Sequence, residues 1–277
     1  MSAVWGHRGC RGLQNPPENS LAAFEAAIVQ EADGIELDVF LTTDRVLVVF
    51  HADKLDRLTN GSGKIVTKSF ADLQVLKLKE NCSPNLSDQR IPTLDQVLDL
   101  VDQSRQRYRN SHSEEEFVVN IEMKAGDLAE PLGAALRQRL QQGWKAKNFL
   151  VSSFEVSNLV KMQSPSLEVP LGVLLSSNEA PWDLTLAEID KRLASLPIQP
   201  QTVNLTLPSL TGEAISRIVA IGARPVAWTY NEINPELLPT QKQQAMAELL
   251  LQNNIPLITD YPRQMRQLLE NYSTHEH

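Results

Sequence analysis

The sequence predicts an α/β protein built as a TIM-type (β/α)8 barrel. Three observations predict this fold. Strand-like and helix-like stretches alternate along most of the chain, the strand-like stretches number eight, and 277 residues suit a barrel that typically needs about 250. Parallel strands need long crossover connections, usually helices, so this alternation favours a parallel barrel over hairpins or a helical bundle.

The candidate strands are short apolar runs bounded by turn-forming residues. They cover residues 3–7, 34–39, 117–123, 149–152, 170–174, 202–205, 225–228 and 255–258. Between them lie stretches with apolar residues at helical spacing, the first capped by Asn19 or Ser20. These predicted helices cover residues 20–32, 94–107, 128–141, 156–162, 184–194, 210–220, 235–252 and 263–271.

One further extended stretch, residues 45–51, lies outside this alternation. It follows the second strand after Thr42-Thr43-Asp44, a connection too short for a parallel crossover and typical of a turn. We therefore expect residues 37–51 to form a hairpin arm at the rim of the barrel.

The chain is predicted to be one catalytic domain, residues 1–277, with one small insertion. Residues 52–92 contain the turn-forming segment 59–63 and a short helix near 71–78, and we expect them to cap one mouth of the barrel. Polar loops at 80–90 and 110–116 and a frayed tail at 273–277 complete the prediction.

Composition and charge exclude several classes of protein. With 42% hydrophobic and 22% charged residues, the chain has the composition of a globular protein. Its 26 basic and 34 acidic residues give a net charge of −8, so we expect no nucleic-acid surface, and an anionic ligand needs a local basic site. Without a signal-like N-terminus or an apolar run of roughly 18 to 20 residues, a cytoplasmic protein with no membrane anchor is expected. The sequence leaves the oligomeric state open.

Acidic side chains share one face of the second strand. Successive side chains in a strand alternate between faces, so Glu36 and Asp38 look into the same space, and Glu122 and Lys124 repeat this spacing on the next barrel strand. Three oxygen ligands at strand ends suit Mg²⁺ or Ca²⁺ better than zinc. The alternative is a structural network in which Glu36 or Asp38 pairs with Lys124 or Arg8.

Two histidines stand where strands are predicted to end: His7 is the last residue of the first strand, and His51 follows the apolar run 46–50. Imidazole can accept or donate a proton near neutral pH, so they offer a base and an acid; a structural role for each is the alternative. Arg8 carries a planar guanidinium whose N–H donors match the geometry of phosphate oxygens. Glu18 could hydrogen-bond a neighbouring histidine or arginine, contact substrate or complement a helix dipole.

These motifs follow one another in a characteristic order. The order is His7-Arg8-Gly9, Pro17-Glu18-Asn19, Glu36-Leu37-Asp38-Val39, His51 with Leu55-Asp56-Arg57, and Glu122-Met123-Lys124. In this order they resemble the glycerophosphodiester phosphodiesterases, most of all their short cytosolic bacterial form. The similarity extends through segments 91–94, 152–154, 227–229 and 259–262, so it covers nearly the whole chain.

The resemblance implies a TIM-type barrel with a small insertion that hydrolyses glycerophosphocholine, glycerophosphoethanolamine or a similar small molecule to glycerol 3-phosphate and an alcohol. It implies one divalent cation, Mg²⁺ or Ca²⁺. The site residues that it implies are Glu36, Asp38 and Glu122 for the metal, His7 and His51 for general base and acid, and Arg8 and Lys124 for the phosphate. We assign His7 as the base and His51 as the acid. The nucleophile, water or the glycerol 2-hydroxyl, stays open.

Other positions complete the expected substrate site or depart from the family pattern. Glu18, Trp228 and Phe154 are expected at the substrate, although packing in the core or rim is an alternative for both aromatic residues. Ala52 stands where members of the family usually have aspartate, and Leu58 stands where threonine is common. If that aspartate orients His51, its replacement changes the rate or the pKa of His51.

Two other functions fit the same residues. A phospholipase D or sphingomyelinase D type of activity on lipid phosphodiesters needs the same barrel chemistry. A barrel that binds a phosphate ligand without catalysis is the other alternative, suggested by Ala52 and by the rule that fold does not imply function.

Overall fold

Eight parallel strands close into a barrel, and a ninth strand pairs antiparallel at its rim. The computed structural model describes residues 1–11, 16–79, 88–108, 117–164, 167–178, 182–229 and 234–273, without the side chains of 105–108. The strands are β1 (Val4–His7), β2 (Gly34–Leu41), β3 (Leu47–Val49), β4 (Val118–Met123), β5 (Phe149–Ser153), β6 (Leu171–Leu175), β7 (Thr202–Thr206), β8 (Arg224–Trp228) and β9 (Leu257–Thr259). Pairing runs β1-β2-β4-β5-β6-β7-β8-β9 and returns to β1, which confirms the predicted (β/α)8 barrel.

Helices alternate with the barrel strands. They are α1 (Leu21–Val29), α2 (Phe70–Gln74), α3 (Leu94–Tyr108), α4 (Ala129–Gln141), α5 (Val156–Met162), α6 (Leu186–Ala194), α7 (Gly212–Ala220), α8 (Thr240–Gln252) and α9 (Pro262–Ser273). Ser20 is the N-cap of α1, its hydroxyl accepting a hydrogen bond from the Ala23 amide at 3.1 Å.

The predicted helix at 235–252 is wrong in one respect, because it is interrupted. A 3₁₀ turn, Pro235–Leu237, is separated from α8 by Leu238, which is extended at φ −80° and ψ 147°. Leu238 precedes Pro239, and the ring of a proline disfavours the helical conformation of the residue before it. The helix therefore starts again only after Pro239.

The predicted hairpin arm is present. β2 and β3 pair antiparallel, with Val39 opposite Val49 and Leu41 opposite Leu47. Beyond the arm, a small hydrophobic cluster lies apart from the main core and supports the predicted cap; its members are Phe40, Val48, Phe50, Leu55, Ile65, Leu73, Leu78 and Ile91. The limits 52–92 stay a prediction. Most of the predicted loop 80–90, the loop 110–116 and all but the first residue of the tail lie outside the described residues.

An apolar cluster fills part of the barrel interior. Trp5, Leu150, Val226 and Ile258, one from each of four strands, are buried together. Gly34 makes room for this packing, because a Cβ at that position would lie 2.4 Å from the Val118 carbonyl oxygen and 2.8 Å from the Trp5 ring. The site of a barrel of this type lies at the carboxyl ends of its strands.

Over the described part of the chain, every helix is too short or too polar to cross a bilayer.

Candidate active site

A cavity of about 560 Å³ opens at the carboxyl ends of the barrel strands. Most of the predicted site residues line it, namely His7, Arg8, Glu36, His51, Glu122, Lys124, Phe154 and Trp228. Asp38 and Glu18 are buried behind these residues. The structure thus brings all the predicted site residues into one region, while their individual roles stay predictions.

Strand register explains why the acidic residues meet. His7 on β1 pairs with Glu36 on β2, and Asp38 on β2 pairs with Glu122 on β4. In parallel strands, paired residues lie side by side on the same face. The carboxylates of Glu36, Asp38 and Glu122 therefore converge, with one oxygen of each within 4.8 Å of the others.

The chemistry of this cluster fits a hard divalent cation. All three carboxylates are buried, and carboxylate oxygens are the ligands that Mg²⁺ and Ca²⁺ prefer. Asp38 Oδ1 is fully buried and accepts no hydrogen bond from the residues described. The ion pair of Asp38 Oδ1 with Lys124 Nζ is 3.4 Å long, beyond the usual length of a charge-assisted hydrogen bond, so this oxygen can still bind a cation. The donor set could thus hold a metal ion.

Two cationic side chains partly neutralise the acidic cluster. The Lys124 ammonium lies 2.7 Å from Glu122 Oε1 and 3.4 Å from Asp38 Oδ1. Arg8 donates its backbone N–H to Glu36 Oε2 at 3.0 Å, and its Nε lies 3.3 Å from Asp38 Oδ2. Burial would lower the pKa of both cations, but the surrounding carboxylates raise it, so both stay charged.

The three carboxylates respond differently to this environment. Burial raises the pKa of Glu36 well above its usual range, and the charges of Asp38 and Glu122 raise it further. Burial also raises the pKa of Glu122, although Lys124 opposes it. Burial would raise the pKa of Asp38 too, but Lys124 and Arg8 outweigh it and hold that pKa below its usual value. Asp38 is therefore the most firmly ionised of the three.

His7 is held by a carboxylate from the other end of the chain. Its Nδ1 lies 2.8 Å from Asp260 Oδ1, while its Nε2 lies 4.0 Å from Glu36 Oε2. Burial lowers the pKa of His7, with a further contribution from Arg8, although Asp260 opposes both. An ionised carboxylate only accepts hydrogen bonds, so Nδ1 carries the proton and Nε2 has a lone pair on the side of the acidic cluster.

His51 has a cationic neighbour instead. Arg57 Nη2 lies 3.2 Å from His51 Nδ1, and Glu18 Oε1 is farther away at 3.6 Å. Burial lowers the pKa of His51 to about 3, and the charges of Arg8 and Lys124 contribute to the decrease, whereas Asp38 opposes it. His51 is therefore neutral at neutral pH.

Glu18 and Asn19 form a layer behind the cavity. Glu18 accepts hydrogen bonds from Arg8 Nη1 at 3.0 Å and from Arg11 Nη1 at 2.9 Å, so both of its oxygens are occupied by guanidinium groups. Asn19 has a positive φ of 58° and donates from Nδ2 to Asp38 Oδ2 at 2.8 Å. The direct contact predicted between Glu18 and substrate stays untested, because Glu18 does not line the cavity.

Aromatic side chains form the opposite wall. Phe154 and Trp228 pack edge to face, with ring centroids 6.2 Å apart, and Trp182 lines the same cavity. Phe154 and Trp182 keep 41% and 39% of their surface exposed, so the wall is open to a ligand from the mouth. The cavity therefore has one charged side and one aromatic side.

The family model described as "Glycerophosphoryl diester phosphodiesterase family" matches residues 7–264, which contain nearly all of the barrel and every predicted site residue. The chain belongs to this family. The prediction of a phosphodiesterase is thereby confirmed at the level of the family.

Individual members of the glycerophosphoryl diester phosphodiesterase family match most of the chain. A glycerophosphodiester phosphodiesterase of Caldanaerobacter subterraneus is 33% identical over 75% of this chain and 78% of its own length. A glycerophosphodiester phosphodiesterase of Bacillus altitudinis is 30% identical over 79% of this chain and 82% of its own length. A phosphodiesterase of Oleispira antarctica, solved in complex with the product sn-glycerol-3-phosphate, is 26% identical, covers 98% of this chain and 97% of its own, and has a TM-score of 0.73.

Three polar residues of the site have no role in the predictions made from the sequence. Asp260 contacts His7, Arg11 contacts both Glu18 and Asp260, and Arg57 contacts His51. One signal was available for Asp260, because it lies two residues after the last predicted strand, at the same end of the predicted barrel where His7 ends the first strand. Arg57 stands in the motif Leu55-Asp56-Arg57, but nothing in that motif assigned it a role, and no local signal identified Arg11, since arginines are common outside the core.

Proposed function

We propose that this protein hydrolyses glycerophosphodiesters, such as glycerophosphocholine or glycerophosphoethanolamine, to glycerol 3-phosphate and an alcohol. The observation that carries the proposal is that two histidines, two carboxylates and the cationic side chains of Arg8 and Lys124 line one cavity, with the carboxylate of Asp38 directly behind it. The sn-glycerol-3-phosphate bound as product by the relative from Oleispira antarctica supports the same product here. The cap formed by residues 52–92 would shape the entrance for the alcohol.

Glu36, Asp38 and Glu122 would hold one divalent cation, Mg²⁺ or Ca²⁺. When bound, such a cation supplies positive charge beside the phosphate oxygens, where negative charge grows during the reaction. Arg8, Asn19 and Lys124 contact the three carboxylates and hold them in position.

Arg8 and Lys124 would bind the phosphate oxygens. Both line the cavity and stay charged, so they stabilise growing negative charge without rearrangement. Glu18 would act on the substrate through Arg8, whose Nη1 it holds at 3.0 Å. Phe154 and Trp228 would contact the glycerol or the alcohol from the aromatic side.

His7 would act as the general base and His51 as the general acid. Asp260 leaves the Nε2 lone pair of His7 free to take a proton from the attacking hydroxyl, whether water or the glycerol 2-hydroxyl. His51 would give a proton to the departing alkoxide. Each such proton transfer typically contributes a factor of about 10² to 10⁴.

A direct assay tests this proposal. Purified protein with glycerophosphocholine and Mg²⁺ or Ca²⁺ should release glycerol 3-phosphate and choline, and a chelator should stop the release. Glu36→Gln removes one ligand charge with little change of shape and should abolish it. Glu130→Gln is the control, because Glu130 is an exposed residue in the first turn of α4 that pairs with Arg45 and does not line the cavity. Equal release by Glu36→Gln and wild type would contradict the metal assignment.

The same preparation separates the alternatives. Faster turnover of a lysophospholipid than of its deacylated product would indicate a phospholipase D type of activity. Tight binding of glycerol 3-phosphate with no turnover of any diester, in either cation, would indicate a binding protein.

A further inference from the structure

The two histidines of the cavity have opposite kinds of partner at Nδ1. His7 Nδ1 lies 2.8 Å from a carboxylate oxygen of Asp260, and His51 Nδ1 lies 3.2 Å from Nη2 of Arg57. An ionised carboxylate can only accept a hydrogen bond, whereas a guanidinium can only donate one. Nδ1 therefore carries the proton in His7, whereas in His51 Nδ1 accepts a hydrogen bond from the Arg57 guanidinium. A neutral His51 must then carry its own proton on Nε2.

Within the part of the chain that the structure describes, no stronger hydrogen-bonding group competes with Arg57 for Nδ1 of His51. Glu18 Oε1 lies 3.6 Å from that nitrogen, beyond hydrogen-bonding distance, and both of its oxygens already accept from Arg8 and Arg11. The next residue in the chain, Ala52, has no carboxylate. Among the described residues, the contact with Arg57 thus decides which nitrogen of His51 is protonated.

We propose that Arg57 is a positioning residue that holds His51 in the tautomer with its proton on Nε2, ready for transfer to the leaving alcohol. The inference rests on the proposed function, because only a reaction with a poor leaving group needs this proton. Burial keeps His51 neutral, so its single proton must be on Nε2 to reach the leaving oxygen, and the imidazolate formed by this transfer would be stabilised by the Arg57 guanidinium at Nδ1. Without Arg57, Nδ1–H could turn towards Glu18, and Nε2 would then have no proton to give.

Two substrates with different leaving groups test the proposal. Glycerophosphocholine releases an alkoxide that needs a proton, whereas a p-nitrophenyl ester of glycerol phosphate releases a phenolate that leaves without one. Arg57→Met keeps the apolar stem but removes the donor. We expect it to lower kcat for glycerophosphocholine by about 10- to 100-fold, part of the full effect of a general acid, and to change kcat for the nitrophenyl ester by less than about 3-fold.

Two reference variants calibrate this comparison. His51→Ala should show the same difference between substrates, only larger. Arg217→Met removes an arginine that is 56% exposed, close to the 60% of Arg57, and that pairs with Asp190 away from the cavity, so it should behave as wild type. Equal losses on both substrates would assign Arg57 to substrate binding or to folding and overturn the proposal, as would no loss on either.

Nitrogen NMR of labelled histidines gives a readout that is independent of activity. Wild type should show His7 protonated on Nδ1 and His51 protonated on Nε2, and Arg57→Met should move His51 towards the Nδ1–H form. Finding His51 protonated on Nδ1 in wild type would overturn the proposal. If wild type hydrolysed neither substrate, the proposed function would fail, and the NMR result would still decide the role of Arg57.

Discussion

Replacing Lys124 with methionine should destabilise the metal-free protein by about 3 to 5 kcal/mol, the typical cost of removing one partner from a buried ion pair. The Lys124 ammonium is the close cation of two buried carboxylates, 2.7 Å from Glu122 and 3.4 Å from Asp38. Methionine keeps most of the apolar stem, so the loss reports the missing charge. Arg8 is the remaining cation beside Asp38, which keeps the loss within this range.

The size of this loss should depend on pH. Burial already raises the pKa of Glu36 and Glu122, so the folded protein keeps protons that the unfolded chain has released. Such groups contribute stability below their unfolded pKa, and this contribution is lost as pH rises through the folded pKa. Without the ammonium the pKa of Glu122 rises further. The deficit of Lys124→Met should therefore be larger at about pH 8 than at about pH 5.

Urea unfolding in the presence of a chelator measures this deficit, and Lys161→Met provides the control. Lys161 Nζ lies 3.4 Å from Asp127 Oδ1, the same separation as Lys124 from Asp38, but both side chains of the control pair are exposed. Lys161→Met should lower the free energy of unfolding by less than about 1 kcal/mol. Saturating Mg²⁺ or Ca²⁺ should recover more stability in Lys124→Met than in wild type, because a bound cation replaces the missing charge. Equal losses in the two variants, or a deficit that does not change with pH, would refute this reasoning.

Three further predictions follow from single contacts. Asp260→Ala should lower kcat by about 10²-fold or more, since His7 loses the acceptor that fixes its tautomer, whereas in Asp260→Asn the donor Arg11 Nε would hold the amide oxygen at the position of Oδ1, so kcat should fall less; similar values for the two variants would contradict this role. Gly34→Ala should cost about 1 to 3 kcal/mol in urea unfolding because its Cβ meets a backbone oxygen at 2.4 Å, and Gly212→Ala, where nothing lies within 4 Å, should not destabilise. The pKa of His51 is lowered to about 3, so below about pH 6.5 this histidine binds a proton in the unfolded chain but stays neutral in the folded protein, and the free energy of unfolding decreases as pH drops from about 6.5 towards 3. In urea unfolding at about pH 7 and pH 4.5, His51→Gln should make this decrease smaller. An equal decrease in His51→Gln and wild type would count against a buried neutral His51.

The sequence determined the barrel and most of the predicted site because both follow from local patterns. Period-two alternation placed Glu36 and Asp38 on one face of a strand, and β2 indeed carries both towards the barrel interior. A turn too short for a crossover predicted the β2–β3 hairpin. Local pattern failed at residues 235–252, where apolar spacing continued across Pro239 and concealed the break before α8.

Only the tertiary structure decided which side chains meet and what each contact does. Asp260 contacts His7, although the two residues are 253 positions apart in the sequence, because closure of the barrel brings β9 beside β1. Parallel register sets Asp38 beside Glu122, and the same packing turns Glu18 away from the cavity and towards Arg8. Periodicity determines which face of a strand a residue occupies. Which strands become neighbours, and in which register they pair, depends on the free energy of the whole closed sheet and cannot be read from a short stretch of sequence.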